Sequence, residues 1–178
     1  ELVNQVNKNV TVLKQPIKEP YKLASVFSKK TTTTISSGII KAEKKQSLIE
    51  KMLLYVRGNF FIPDARVGWV NPSVDYLSNY IKTNAVDVII TTGPPHSMHM
   101  IGLELQKRFA VKWIADFRDP WTSIGYHKEL KLTDKAAKKH KDLERLVLTK
   151  ADTILTTSFT TKQEFAEITQ KPIHVITN

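Results

Sequence analysis

The sequence predicts a Rossmann-like α/β fold, a parallel sheet with helices on both faces. Apolar runs at 86–92, 112–117, 153–157 and 173–177 alternate with stretches of helical periodicity. Runs such as Val86-Asp-Val-Ile-Ile90 are apolar almost throughout, which fits strands covered on both faces. Strands separated by helices are joined by right-handed crossovers and therefore pair in parallel. Two of the runs also end in turn residues and polar groups. These are Asp87-Val-Ile-Ile-Thr-Thr-Gly-Pro-Pro-His-Ser97 and Trp113-Ile-Ala-Asp-Phe-Arg-Asp-Pro-Trp121. Ligands of open α/β sheets bind beyond such carboxyl ends, so both loops are expected to line one cleft.

The elements follow in order. Val10-Thr-Val-Leu13 alternates and is β-branched, predicting a short strand that Pro16 ends. Residues 20–30 place Leu23, Val26 and Phe27 at helical spacing, and 29–38 lacks apolar periodicity and reads as a mobile surface loop. A helix from Ser47 carries Leu48, Met52 and Val56 on one face and is expected to stop at Gly58. Residues 59–69 are unusually aromatic for a loop and read as pinned against the core, with a lipid or acceptor surface as the alternative. Asn71-Pro72 predicts a helix start, Asn as N-cap and Pro at the first helical position, running through Tyr76, Leu77, Tyr80 and Ile81. After strand 86–92, Met98, Ile101, Leu105 and Phe109 share a helix face. Strand 112–117 precedes a loop and a helix at 133–150. Strand 153–157, a helix near 160–168 and strand 173–177 complete the reading.

The 178 residues suit one domain with a substantial core. There is no cysteine, which excludes disulfides and thiolate metal sites. No apolar run approaches the roughly 20 residues that cross a bilayer. The net charge of +10 calls for an anionic partner or a solvated lysine surface. No nucleic-acid module signature accompanies it, and lysine outweighs arginine, so nucleic acid is not expected. A phosphate-bearing ligand remains, as does an anionic membrane face met by residues 29–51 and by Lys135, Lys138, Lys139 and Lys141.

The chemistry-bearing candidates sit at the two strand ends. Asp116 and Asp119 can accept a hydroxyl's hydrogen bond or proton, and Arg118 can clamp a carboxylate or phosphate. The structural alternatives are Asp119 as a helix N-cap before Pro120 and Arg118 paired with Asp116. His96 follows Gly93-Pro94-Pro95 at a helix start, where Gly93 lets backbone approach a ligand. Thr91, Thr92 and Ser97 supply hydroxyls, and His99 is a weaker candidate inside the helix. His140 shares a stripe with Ala136, Leu143 and Val147 and reads as a packed residue. Asp116 and Asp119 do not make the close acidic pair of a divalent-metal site, so no metal is expected. Neither a dinucleotide nor a phosphate-loop fingerprint is present, nor a hydrolase elbow.

Thr91-Thr-Gly-Pro-Pro-His-Ser-Met-His99, Trp113-Ile-Ala-Asp-Phe-Arg-Asp-Pro-Trp121, Val175-Ile-Thr-Asn178 and Arg57-Gly-Asn-Phe-Phe-Ile-Pro-Asp-Ala-Arg66 resemble the N-terminal half of bacterial glycosyltransferase family 4 proteins. The group from surface-polysaccharide pathways is the one it is similar to. The resemblance implies a GT-B fold, two Rossmann-like domains facing across a cleft, with the acceptor mainly on the first and the nucleotide-sugar on the second. It implies sugar transfer with retention, onto a cell-surface glycan or lipid-linked acceptor, without metal or other cofactor. Asp119 and His96 would be catalytic, and Gly93, Ser97, Thr92, Arg118 and Asp116 would bind substrate. A cytoplasmic protein, peripheral at the inner membrane face, would follow.

The chain departs from that pattern at both ends. The family's first strand, glycine-rich loop and second strand have no counterpart before Val10, and the donor domain with its paired glutamates has none beyond Asn178. Residues 1–178 are therefore expected to be a partial N-terminal domain, inactive alone. Strand 86–92 would carry an unpaired apolar edge, open to self-association. The alternative is a Rossmann-like ligand-binding module without transferase activity.

Overall fold

The computed structural model describes residues 7, 9–17 and 48–177. The predicted helix at 20–30 and loop at 29–38 lie outside the described residues, as does Asn178. Helix α1 spans Leu48–Phe60, α2 Val70–Thr83, α3 Ser97–Phe109, α4 Asp134–Lys150 and α5 Phe159–Ala166. The strands are β1 Val88–Gly93, β2 Lys112–Phe117, β3 Thr153–Thr156 and β4 Ile173–Val175. They form one parallel sheet in the order β1-β2-β3-β4, alternating with helices in the Rossmann-like manner.

Burial alternates along the strands as side chains point to opposite faces. Trp113, Ala115 and Phe117 of β2, Ile154 of β3 and Ile173 of β4 are buried with Val147 and Leu148 of α4 and Phe165 of α5. Val70 and Val74 of α2 and Ile101 and Leu105 of α3 build an adjoining cluster beside Ile89. The other face differs from the expectation of helices on both sides. Val88 and Ile90 are 41% and 62% exposed there, and Ile114 and Leu155 are half-buried. Among the described residues the helices pack on one face only, and β1 pairs with β2 alone.

Three local expectations are corrected. Residues 10–13 form no strand, and Val10 and Val12 lie exposed with no neighbouring strand to complete a ladder. Helix α1 runs through Gly58 to Phe60. A Cβ on Gly58 would stand 2.6 Å from Leu132 Cδ2 and 2.9 Å from Leu130 Cβ, so the glycine serves close packing rather than termination. Asn71 is not an N-cap, because a short 3-10 turn, Val67–Trp69, feeds directly into α2, and the Val70 N–H donates to Val67 O. Pro72 then sits in the first turn, where a missing N–H costs nothing.

Helix α4 is capped by the Thr133 side chain, which accepts from the Ala136 N–H at 3.3 Å, and α5 by Ser158, which accepts from Thr161 at 3.1 Å. Helix α3 has no such side-chain cap of its own. Its first N–H finds an acceptor from a remote loop instead, and that bond organises the site.

Candidate functional site

The strands β1 and β2 end in step, with Gly93 opposite Phe117. The Arg118 N–H then donates to Gly93 O at 3.0 Å, and Thr157 Oγ1 donates to Arg118 O at 2.8 Å. The 93–97 and 118–122 loops therefore leave the sheet side by side, as the sequence predicts. Asp64 bolts a third segment to them. Its carboxylate accepts from the Ser97 N–H at 2.7 Å, from Ser97 Oγ at 3.0 Å and from the Arg66 N–H at 2.8 Å. A carboxylate at this helix start both satisfies an orphan donor and opposes the positive end of the helix dipole.

His96 lies at the centre, 4% exposed. Its ring stacks on the Trp121 indole with centroids 4.9 Å apart and planes 1° from parallel, and it meets His99 at 5.8 Å and Phe117 at 6.0 Å. Neither ring nitrogen has a hydrogen-bond partner among the described residues. Buried polar atoms are almost always paired, and this imidazole, set against an indole, a phenyl ring and a second imidazole, keeps one donor and one acceptor available. His99 is tied by Nδ1 to Thr91 Oγ1 at 2.9 Å, and Thr91 also accepts from Trp113 Nε1 at 2.8 Å. The bare Cα of Gly93 lets both imidazoles close in, since a Cβ there would stand 2.6 Å from His99 Nε2 and 3.2 Å from His96 Nδ1.

Trp121 is held from two sides. Its backbone N–H and that of Thr122 donate to Glu144 Oε1 at 3.1 and 3.0 Å, and Thr122 Oγ1 donates to the other carboxylate oxygen. Its indole Nε1 donates to His140 Nδ1 at 3.1 Å. His140 must then carry its proton on Nε2, which donates to Gly58 O at 3.2 Å. His140 is thus the packed, satisfied residue the sequence suggests.

Burial disfavours the imidazolium form throughout. It lowers His96 to about 3, with the His140 and His127 rings adding to the effect. His127 falls to about 4 through burial, His140 and Lys141. Burial takes His99 well below its ordinary value, with His96 adding. It also lowers His140, against the opposing pull of the Gly58 bond and Asp64. At neutral pH the cluster is uncharged. It suits a hydroxyl, which can both donate and accept, better than a phosphate, which wants a cation.

The predicted residues do not all meet here. Gly93, His96 and Ser97 are together, but the Ser97 hydroxyl is already spent on Asp64. Arg118 and Asp119 are exposed in the neighbouring loop, and no helix begins there for Asp119 to cap. Thr92 and Asp116 sit opposite each other on the uncovered face of the sheet, away from His96. Asp64, Glu144 and His127 carry weight that the sequence reading does not give them. A signal for Glu144 was present: a carboxylate at 144 continues the Ala136, His140, Val147 stripe, and a charge on a buried stripe implies waiting donors. Among the described residues no three His, Asp or Glu side chains gather as a metal cluster, and no helix is long and apolar enough to cross a membrane.

The chain matches no family model, no curated protein and no solved structure.

Proposed function

We propose that the chain is the acceptor-side domain of a retaining glycosyltransferase. It would act at the cytoplasmic face of the membrane, moving a sugar from a nucleotide-sugar to a cell-surface glycan or lipid-linked acceptor. The observation that carries this reading is His96, a buried, uncharged imidazole with both nitrogens unpaired where two parallel strands end. Such a ring offers one donor and one acceptor to a sugar hydroxyl and pays no charge desolvation to do so. The Asp119 carboxylate, exposed one loop away, would hold or take the proton of an attacking hydroxyl. In this reading another domain holds most of the nucleotide-sugar.

A second reading, a ligand-binding module without transfer chemistry, is favoured by one fact. An imidazole lowered to about 3 is a weak base at neutral pH and serves binding better than proton abstraction. Expression of the complete reading frame and assay with labelled nucleotide-sugars separates the two. Transfer that Asp119→Asn and His96→Phe abolish supports the enzyme. Hydroxyl-ligand binding without any transfer supports the module, and neither activity rejects both.

A further inference from the structure

His99 stands in the first turn of α3, wholly buried, and its ring lies against Phe117 with centroids 4.4 Å apart. At neutral pH it carries one proton, since burial, with the His96 ring adding, disfavours a second. Thr91 decides which nitrogen holds it. Thr91 Oγ1 accepts from Trp113 Nε1, and an indole nitrogen only donates. The same oxygen lies 2.9 Å from His99 Nδ1 and has no third hydrogen-bond partner among the described residues. A proton on Nδ1 would give Thr91 Oγ1 two donors and leave its own buried O–H without an acceptor. With the Thr91 O–H donating to Nδ1, all three groups are satisfied. The proton of His99 therefore resides on Nε2. Gly102 lets these side chains meet under α3, since a Cβ there would press on Trp113 Nε1 and stand 2.7 Å from Thr91 Cγ2.

That nitrogen converges with His96. A Cβ on Gly93 would stand 2.6 Å from His99 Nε2 and 3.2 Å from His96 Nδ1, so both nitrogens face one point beside the glycine. They do not bond each other, and neither has another hydrogen-bond partner among the described residues. Resting on the reading of His96 as a hydroxyl-binding ring, we infer that His99 is the second binding residue of that site. Its Nε2–H donates to the ligand oxygen whose own proton goes to His96 Nδ1. The two rings thus read both halves of one hydroxyl. An ether oxygen answers only the His99 half and leaves His96 Nδ1 unpaired, so the site selects a free hydroxyl over its O-alkylated form. Thr91 and Trp113 are positioning residues, which act by keeping the His99 proton on the nitrogen that faces the ligand.

Nitrogen-15 NMR of the histidine rings at pH 7, with ethylene glycol and its dimethyl ether as probes, tests this. In the free chain the protonated nitrogen of His99 should be Nε2. A proton on Nδ1 would overturn the inference while leaving His96 its role. Ethylene glycol should shift His99 Nε2 and His96 Nδ1 together and saturably, while His140, whose nitrogens are both bonded, stays in place. The dimethyl ether should bind about tenfold more weakly. A shift at His96 alone would remove His99 from the site, and equal binding of the two probes would remove the two-sided reading of the hydroxyl. Silence at both rings would reject the reading of His96 as well. His99→Gln keeps an N–H donor where Nε2 stood, whereas His99→Asn keeps only a group for Thr91. Glycol binding should survive in the first and fall about tenfold in the second. Equal loss in both would assign His99 to packing, and if neither variant folds the shifts in the parent still decide.

Discussion

The His96 imidazole lies flat on the Trp121 indole, 4.9 Å between centroids and 1° from parallel. This contact fixes the imidazole plane without using either nitrogen. Trp121 is in turn set by Glu144, a buried carboxylate that takes two consecutive backbone N–H groups. Glu144 is therefore a positioning residue that acts on His96 through Trp121. Glu144→Ala strands both donors and should cost about 3 kcal/mol. Glu144→Gln keeps the accepting oxygen and should cost about 1 kcal/mol or less. Urea unfolding gives both values, and a shift in tryptophan emission should accompany the first alone. Equal losses would remove Glu144 from this role.

His96 itself separates packing from chemistry. The alanine variant removes a ring that is 4% exposed and should lose about 2 kcal/mol or more of stability through the cavity left behind. Loss of activity in that variant would therefore be uninformative. His96→Phe is the better probe. Relief of two unpaired polar atoms, about 1–3 kcal/mol, offsets a similar overpacking cost. Its melting temperature should stay close to the parent's while hydroxyl binding disappears. Retained binding would show that the nitrogens are not used.

The same ring makes stability depend on pH in a defined window. In the unfolded chain the imidazole titrates near 6.5, and in the folded chain His96 titrates near 3. Above the unfolded value neither state holds the proton, and His96 contributes nothing to the pH dependence. As pH falls from that value towards the folded one, the unfolded state binds a proton that the folded state refuses, and stability declines. The slope is about 1.4 kcal/mol per pH unit for one such group, or about 2 kcal/mol at pH 5. His99 and His127 are lowered too and steepen the decline. Unfolding free energy measured from pH 7 to 5 should fall, and His96→Phe should flatten the curve. A flat parent curve would contradict the burial of these rings.

Periodicity made the sheet legible, and its limits explain what was missed. The β2 bounds emerge as read because Lys112–Phe117 is a mostly apolar run, every second residue buried, between a left-handed Ala110 and a loop. Gly58 misled because a glycine near a helix end and a glycine packed under Leu130 look alike in sequence. The loop adjacency of Gly93 and Arg118 follows from parallel register, and so it was visible. The Asp64–Ser97 and Glu144–Trp121 bonds join residues 33 and 23 positions apart and leave no local trace. Strand alternation, rather than motif spelling, decides that Asp116 faces away from His96.

Gly93 should be as restrictive as its contacts suggest. A methyl group there would press on His99 Nε2 at 2.6 Å and His96 Nδ1 at 3.2 Å. Both rings are buried, and His99 is tied to Thr91, so neither has room to yield. Gly93→Ala should cost about 1–3 kcal/mol, as overpacking does. Thermal melting reads it, and an unshifted melting temperature would mean that the rings move freely.

The exposed edge gives the last prediction. Among the described residues β1 has a neighbour on one side only, and Ile90, paired in register with Ile114, is 62% exposed on the uncovered face. An unpaired apolar edge recruits strands from other molecules, and a charge placed on it discourages that pairing. Ile90→Lys gives up a cross-strand apolar contact worth less than about 1 kcal/mol. It should therefore leave the fold intact while lowering self-association. Static light scattering across a concentration series is the measurement. Parent chain that associates with concentration and a variant that stays monomeric would place the contact at β1. Association unchanged by the lysine would move it elsewhere, and a parent monomeric throughout would mean that this edge is already covered.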